Sequence, residues 1–164
     1  MTGTIIQVSL SLGGLPKRPV GGGFLGPLGL EGDRYAHPHI HGGPDKAVLI
    51  IDAEGIDELA AAGYPVFYGA LGENLTTRRL DRRQFRIGQR LRAGGAVLEV
   101  TRIRVPCATL DVYGPAIKQE IYDLRVQAGD AESPRWARSG VYARVLVPGP
   151  VHTDDIIMLV DTPA

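Results

Sequence analysis

With 164 residues and 44% of them hydrophobic, the chain suits a single domain, 1–164, with a core of useful size. Eighteen Lys and Arg balance eighteen Asp and Glu, so no global field favours nucleic acid or a membrane surface, and neither is expected as a partner. No apolar run approaches the roughly 18 residues that cross a bilayer. The 22 glycines and 12 prolines exceed ordinary usage while the apolar content argues against disorder, so many turns should join short elements of a mainly β (α+β) fold. The N-terminus Met1-Thr2-Gly3-Thr4 lacks a basic segment followed by a long apolar core. Together with the single cysteine, this leads us to expect a reducing, cytoplasmic setting.

In chain order, Ile6, Val8 and Leu10 alternate with polar residues, the period of a half-buried strand. The Gly- and Pro-rich stretch from Gly13 to Gly29, with Lys17 and Arg18 in it, predicts one long loop. Ala47 to Ile51 reads as a buried strand, and Asp52 as the cap of a helix running to about Ala62, with Ile56, Leu59 and Ala60 inward. Phe85 to Leu91 alternates, and Gly94-Gly95 offers a hairpin turn into a strand from Ala96 to Val105. The apolar phase of that strand changes between Val100 and Ile103, which a bulge near Thr101 explains. Pro106 cannot donate to a ladder, so Cys107 should emerge at a strand end. Pro115 suits a helix start, with Ile117, Ile121 and Leu124 on one face. Val141 to Val147 and Val151 to Val160 complete the strands, with a bend at Asp154-Asp155. About seven strands and two or three short helices make a β-barrel with helical decorations.

A lone cysteine cannot close an intramolecular disulfide, so Cys107 is either packing or chemistry. Arg102 and Arg104 favour a thiolate if they face it, although strand alternation sets them together on a face that solvent can also take. A thiolate is a soft ligand for a thiophilic metal. His37, His39 and His41 share one face only if extended, and Pro38 and Gly42-Gly43 argue for a loop. No carboxylate or cysteine follows at standard zinc spacing, so His41 is read singly, as a residue that orients the next loop or a ligand. Gly29-Leu30-Glu31-Gly32-Asp33-Arg34 is by itself a solvated turn with a local Asp–Arg pair. Gly72-Glu73-Asn74-Leu75 is either a turn capping its own backbone or an amide site for a polar ligand. Neither a phosphate-binding P-loop nor a dinucleotide fingerprint is present, and no motif selects His41 or His152 as a base for a Cys107 hydrolase.

Taken in order, these islands resemble the MOSC domain, the C-terminal domain of molybdenum-cofactor sulfurases, and in particular its stand-alone YiiM-like members. The resemblance runs from Gly13 to Val160. It rests on Gly29 to Arg34, His41-Gly42-Gly43-Pro44-Asp45-Lys46-Ala47, Gly72 to Leu75, Ile87-Gly88-Gln89-Arg90-Leu91, Arg104-Val105-Pro106-Cys107 and Ser139-Gly140-Val141-Tyr142-Ala143-Arg144-Val145-Leu146. It implies a closed MOSC-type β-barrel that binds the molybdenum cofactor (molybdopterin with molybdenum), with Cys107 as the catalytic residue and metal ligand. Lys17, Arg34, His41, Asn74 and Arg104 would hold the anionic cofactor.

The resemblance further implies an oxidoreductase that reduces small N-hydroxylated or N-oxygenated substrates. With no second cysteine the chain holds no Cys-ligated iron–sulfur cluster, so electrons are expected from an external donor protein. The alternative is a non-catalytic carrier of the cofactor or of a Cys107 persulfide, partnered by a pyridoxal-phosphate-dependent sulfurase or another molybdoenzyme.

Overall fold

The computed structural model describes residues 1–36 and 42–160. Its strands are β1 (Thr2–Leu10), β2 (Arg18–Pro19), β3 (Gly22–Gly26), β4 (Gly29–Leu30), β5 (Val48–Asp52), β6 (Leu75–Arg78), β7 (Arg90–Ala93), β8 (Ala96–Ile103), β9 (Val141–Val147), β10 (Gly149–His152) and β11 (Ile156–Val160). The helices are α1 (Ala53–Ala61), α2 (Ile117–Ile121) and α3 (Leu124–Gln127), with 3-10 turns at Pro44–Lys46, Arg82–Gln84 and Ala108–Tyr113. Seven strands close a barrel in the order β1, β6, β5, β9, β8, β7, β11, because β11 pairs back onto β1. Within it only β5 and β6 run parallel, and α1 with the loop after it makes that crossover. A small sheet of β10, β3 and β4 lies beside the barrel. No helix among the described residues is long and apolar enough to cross a membrane.

β5 shows why the sequence is apolar without alternation. Val48 and Ile50 point into the barrel with Ile5, Leu75, Leu98 and Val141, whereas Leu49 and Ile51 face an outer layer with Ile56, Leu59 and Ile117. Both faces are buried, so period two disappears. Each such side chain contributes about 1.5–3 kcal/mol by leaving water, and the two layers fix β5 in the wall. α1 starts where expected: Asp52 accepts a hydrogen bond from the Gly55 amide at 3.1 Å, and Gly63 follows the helix at φ +96°.

The hairpin at Gly94-Gly95 joins β7 to β8 with Ala93 opposite Ala96. The register of β8 against β9 slips between Val100 and Arg102, at Thr101, as the phase change predicts. Thr101 Oγ1 then reaches the Tyr142 carbonyl at 3.1 Å, tying the bulge to β9. The bend at Asp154-Asp155 is also present, with Asp154 at φ +73°.

Several local expectations change. β1 carries a register shift between Ile5 and Gln7, so Ile5 rather than Ile6 is fully buried. The stretch from Gly13 to Gly29 is not one loop, because Gly22–Gly26 pairs with β10. Ala60 is exposed, and the buried face of α1 is Ala53, Gly55, Ile56 and Leu59. The strand expected from Phe85 begins only at Arg90; Phe85 is buried but its neighbours form turns. β8 ends at Ile103, before Pro106 is reached. The helix after Pro115 breaks at Tyr122-Asp123, where the Asp123 carboxylate caps α3 through the Val126 amide, leaving Leu124 81% exposed.

Candidate functional site

The first loop, the Asp33–Ala36 segment, the turn before β6 and the chain beyond β8 meet at one cavity of about 900 Å³. It brings together Lys17, Arg34, Asn74, Arg104 and Cys107, five residues from four separate segments of the chain. His41, with His37 and His39, lies outside the described residues. Lys17, Arg34, Lys46, Arg102 and Arg104 all line the cavity, and no carboxylate does among the described residues. A concave site lined by one sign of charge concentrates anions.

The five positions differ in what their side chains still have to offer. Lys17 is buried and forms an ion pair with Asp33, and its ammonium sits 5.2 Å from the centre of the Tyr35 ring. Burial pulls the Lys17 pKa down, with Asp33 acting against it. Asp33 therefore pairs with Lys17 rather than in a solvated turn with Arg34: its side chain is 3% exposed and also accepts from the Ser11 amide and from Asn74 Nδ2, both at 2.8 Å. Burial pushes the Tyr35 phenol up to about 12.

Asn74 is a structural clasp as much as a cavity residue. Its Oδ1 accepts from the Leu49 amide at 3.2 Å, and its Nδ2 also donates to the Ser9 carbonyl at 3.2 Å. Arg34 is exposed at the cavity.

Arg104 departs most from the expectation of a solvated strand pair. Because β8 ends at Ile103, strand alternation no longer sets its direction, and it is 5% exposed while Val105 is 64% exposed. The Arg104 amide donates to the Gly140 carbonyl at 2.9 Å, and Ser139 Oγ donates to its carbonyl at 2.6 Å. This backbone clamp feeds the guanidinium into the cavity wall, where Nη1 is buried with no hydrogen-bond partner. A buried charged donor left unmatched is costly unless a ligand completes it.

Cys107 lies three residues on, partly buried, at the start of the 3-10 turn Ala108–Tyr113. Its sulfur is 2.8 Å from Thr109 Oγ1. Burial is the largest single influence and raises its pKa. The hydroxyl and amide of Thr109, with the charge of Arg104, outweigh it and hold the thiol below its ordinary value. Tyr142 also lines the cavity, its phenol raised by burial and drawn back by the charge and hydrogen bond of Arg104.

Sequence reading missed the second half of the cavity. Tyr35 and the apolar residues Leu15, Phe67, Leu71 and Val112 come from segments with no motif, whereas Lys46, over the Tyr142 ring at 5.9 Å, sits inside one. Only the basic residue in the His41–Ala47 island signalled Lys46 beforehand. Among the described residues no cluster of three or more His, Cys, Asp or Glu is arranged to hold a metal, so Cys107 is the one thiolate available to a soft one.

Comparison with known proteins shows the family and the fold. The model of the MOSC domain family matches residues 37–158. Protein YiiM of Escherichia coli (strain K12) is 31% identical over 141 residues, covering 84% of this chain and 58% of the relative. The uncharacterized protein YflK of Bacillus subtilis (strain 168) is 35% identical over 143 residues, covering 84% of this chain and 59% of the relative. The chain thus spans less than two thirds of the length of these two relatives. The crystal structure of YiiM from Geobacillus stearothermophilus has a TM-score of 0.73 at 24% identity, covering 97% of this chain and 75% of that one, a likeness of fold.

Proposed function

Because the chain belongs to the MOSC domain family, a family associated with the molybdenum cofactor, we propose that its cavity binds that cofactor and that the loaded protein reduces small N-oxygenated compounds. The observation that carries the reading is the pairing, on one wall, of an unmatched buried Arg104 Nη1 with a Cys107 thiol held below its ordinary pKa. An anionic group and a soft metal are the ligands that would complete those two positions. The residues therefore fit the cofactor.

In this reading the bound group supplies two-electron redox chemistry, and the protein supplies position and electrostatics. Arg104 and the exposed Arg34 hold the anionic end by charge-assisted hydrogen bonds. Lys17 adds charge but is committed to Asp33, so it shapes the site more than it grips. Asn74 ties β1, β5 and Asp33 together and keeps that side of the cavity in register. His41 belongs to the same proposal on the family pattern alone. Cys107 presents its sulfur as the ligand to molybdenum, and Thr109 fixes where that sulfur points. Phe67, Leu71 and Val112 add apolar surface to the cavity lining.

The net reaction consumes two electrons and two protons per N–O bond and releases an amine and water. The single cysteine of residues 1–164 offers no Cys-ligated iron–sulfur cluster, so in this reading the electrons come from a donor outside this segment. Expression in a host that makes the cofactor, followed by molybdenum and pterin analysis and by assay of a hydroxylamine with an artificial reductant, tests the reading. Stoichiometric cofactor with turnover supports it. Cofactor without turnover leaves the carrier function, and a protein free of molybdenum and pterin overturns both.

A further inference from the structure

Glu73 is a buried carboxylate beside this cavity that the proposed chemistry does not use. It is 0% exposed. Its Oε1 accepts from the Gly69 amide at 2.6 Å and from Thr76 Oγ1 at 3.1 Å, whereas Oε2 is buried with no partner. The ionisable groups that face it come from three segments: Lys17 on the first loop, Arg104 beyond β8 and Tyr113 at the end of the 3-10 turn. All three also line the cavity. Lys17 is already matched by Asp33, and Tyr113 carries no positive charge, so beyond the hydrogen bonds from Gly69, Thr76 and its own amide, Arg104 is the cation that favours a negative Glu73.

Arg104 therefore faces two claimants, the carboxylate behind it and whatever anion occupies the cavity. We propose that Glu73 is the proton acceptor that couples anion occupancy of this cavity to proton uptake. The inference rests on the reading of the cavity as an anion site, and it adds a linkage that the reading does not require. An anion at Nη1 brings negative charge toward Glu73 and offsets the potential that keeps the carboxylate ionised. Burial already pushes the Glu73 pKa up, opposed by the Gly69 and Thr76 hydrogen bonds and by Arg104. Weakening that last support tips the balance. One proton then passes from the buffer to Oε2, the oxygen without a partner, while Oε1 continues to accept from Gly69 and Thr76.

The latch survives the proton for a geometric reason. Gly69 sits at φ +97°, a Cβ there would lie 2.2 Å from the Lys17 carbonyl, and its own carbonyl accepts from the Lys17 amide at 2.9 Å. Glu73 in either protonation state can hold the Gly69 amide and through it the first loop. It is thus a positioning residue whose charge, not its hydrogen bond, changes when the cavity fills.

Sulfate is a suitable probe because it stays a dianion throughout the neutral range. Calorimetric titration of sulfate into the cofactor-free protein, in buffers of different ionisation heat, gives affinity and proton uptake together. The same titration in Cys107→Ser removes the thiol from the proton balance. The expected result is uptake approaching roughly one proton per sulfate, with affinity falling by up to about tenfold per pH unit as pH rises through the titration of Glu73. In Glu73→Gln the uptake vanishes and the affinity stays at its low-pH level at every pH. Sulfate binding without uptake, or uptake that persists in Glu73→Gln, overturns the inference and leaves the anion site standing. Absence of sulfate binding at any pH overturns the anion site and the inference with it. Should Glu73→Gln fail to fold, infrared difference spectra of the wild type decide: a new protonated-carboxyl band on sulfate addition supports the coupling, and its absence refutes it.

Discussion

Lys17 and Asp33 form an ion pair in which the two side chains are 7% and 3% exposed, and that pair divides the cationic wall into two classes. Lys17 is spent on the fold. Arg104, equally buried, keeps Nη1 open.

That division predicts opposite outcomes at two cavity cations. Lys17→Ala leaves Asp33 buried and without its counter-charge, so stability should fall by about 3–5 kcal/mol in denaturant titration. Arg34→Ala removes an exposed side chain and should change stability by less than about 0.5 kcal/mol. It should nonetheless loosen cofactor retention on a desalting column, because an anion contact of about 1.5–3 kcal/mol is lost. An Arg34→Ala protein that unfolds, or that keeps cofactor as wild type does, would contradict the assignment.

Arg104→Met tests the unmatched donor itself. It removes a buried cation whose Nη1 lacks a partner but whose guanidinium also bonds Tyr142 and favours the Glu73 carboxylate, so the thermal midpoint should fall only modestly. Sulfate and cofactor affinity should fall by at least about tenfold. The loss of Arg104 should also slow Cys107 alkylation at neutral pH, since the charge that helps lower the thiol pKa is gone. A strongly destabilised variant with intact anion binding would show that Arg104 serves the fold instead.

A third expectation lies away from the cavity. Burial pushes Asp52 up to about 6, with Arg82, the Gly55 amide and other contacts only partly offsetting it. A folded pKa above the unfolded one favours the protonated form, so the contribution is present below about pH 4 and lost as pH rises through about 6. Asp52→Asn keeps a capping oxygen for α1 and removes the buried charge. It should leave stability unchanged near pH 4 and raise it by about 2–3 kcal/mol near pH 7. Urea unfolding at the two pH values measures this, and equal effects at both would disprove the role of the charge.

Local chemistry was legible in the sequence wherever one short segment decided the outcome. Gly94-Gly95 turned the hairpin, Asp52 capped α1 and the phase change placed the Thr101 bulge. The closed barrel and its MOSC family followed from the ordered islands. What escaped were outcomes set by partners distant in the chain. Adjacency pairs Asp33 with its neighbour Arg34, yet in the fold it pairs with Lys17 across 16 positions. Strand alternation sets Arg104 beside Arg102, but it stops applying once β8 ends at Ile103. The apolar wall from Phe67 and Val112 carries no motif, because exposed hydrophobic residues acquire meaning only when a cavity gathers them.

The proposal that Cys107 ligates molybdenum is tested most directly by the metal's own X-ray absorption in wild type and Cys107→Ser. The substitution nearly preserves volume, so the barrel should persist, and Arg104 and Arg34 should retain at least part of the pterin. An alcohol of far higher pKa replaces a soft thiolate, so the sulfur shell around molybdenum should lose one scatterer and turnover should collapse. A folded, cofactor-loaded Cys107→Ser protein with an unchanged sulfur shell would contradict the central claim.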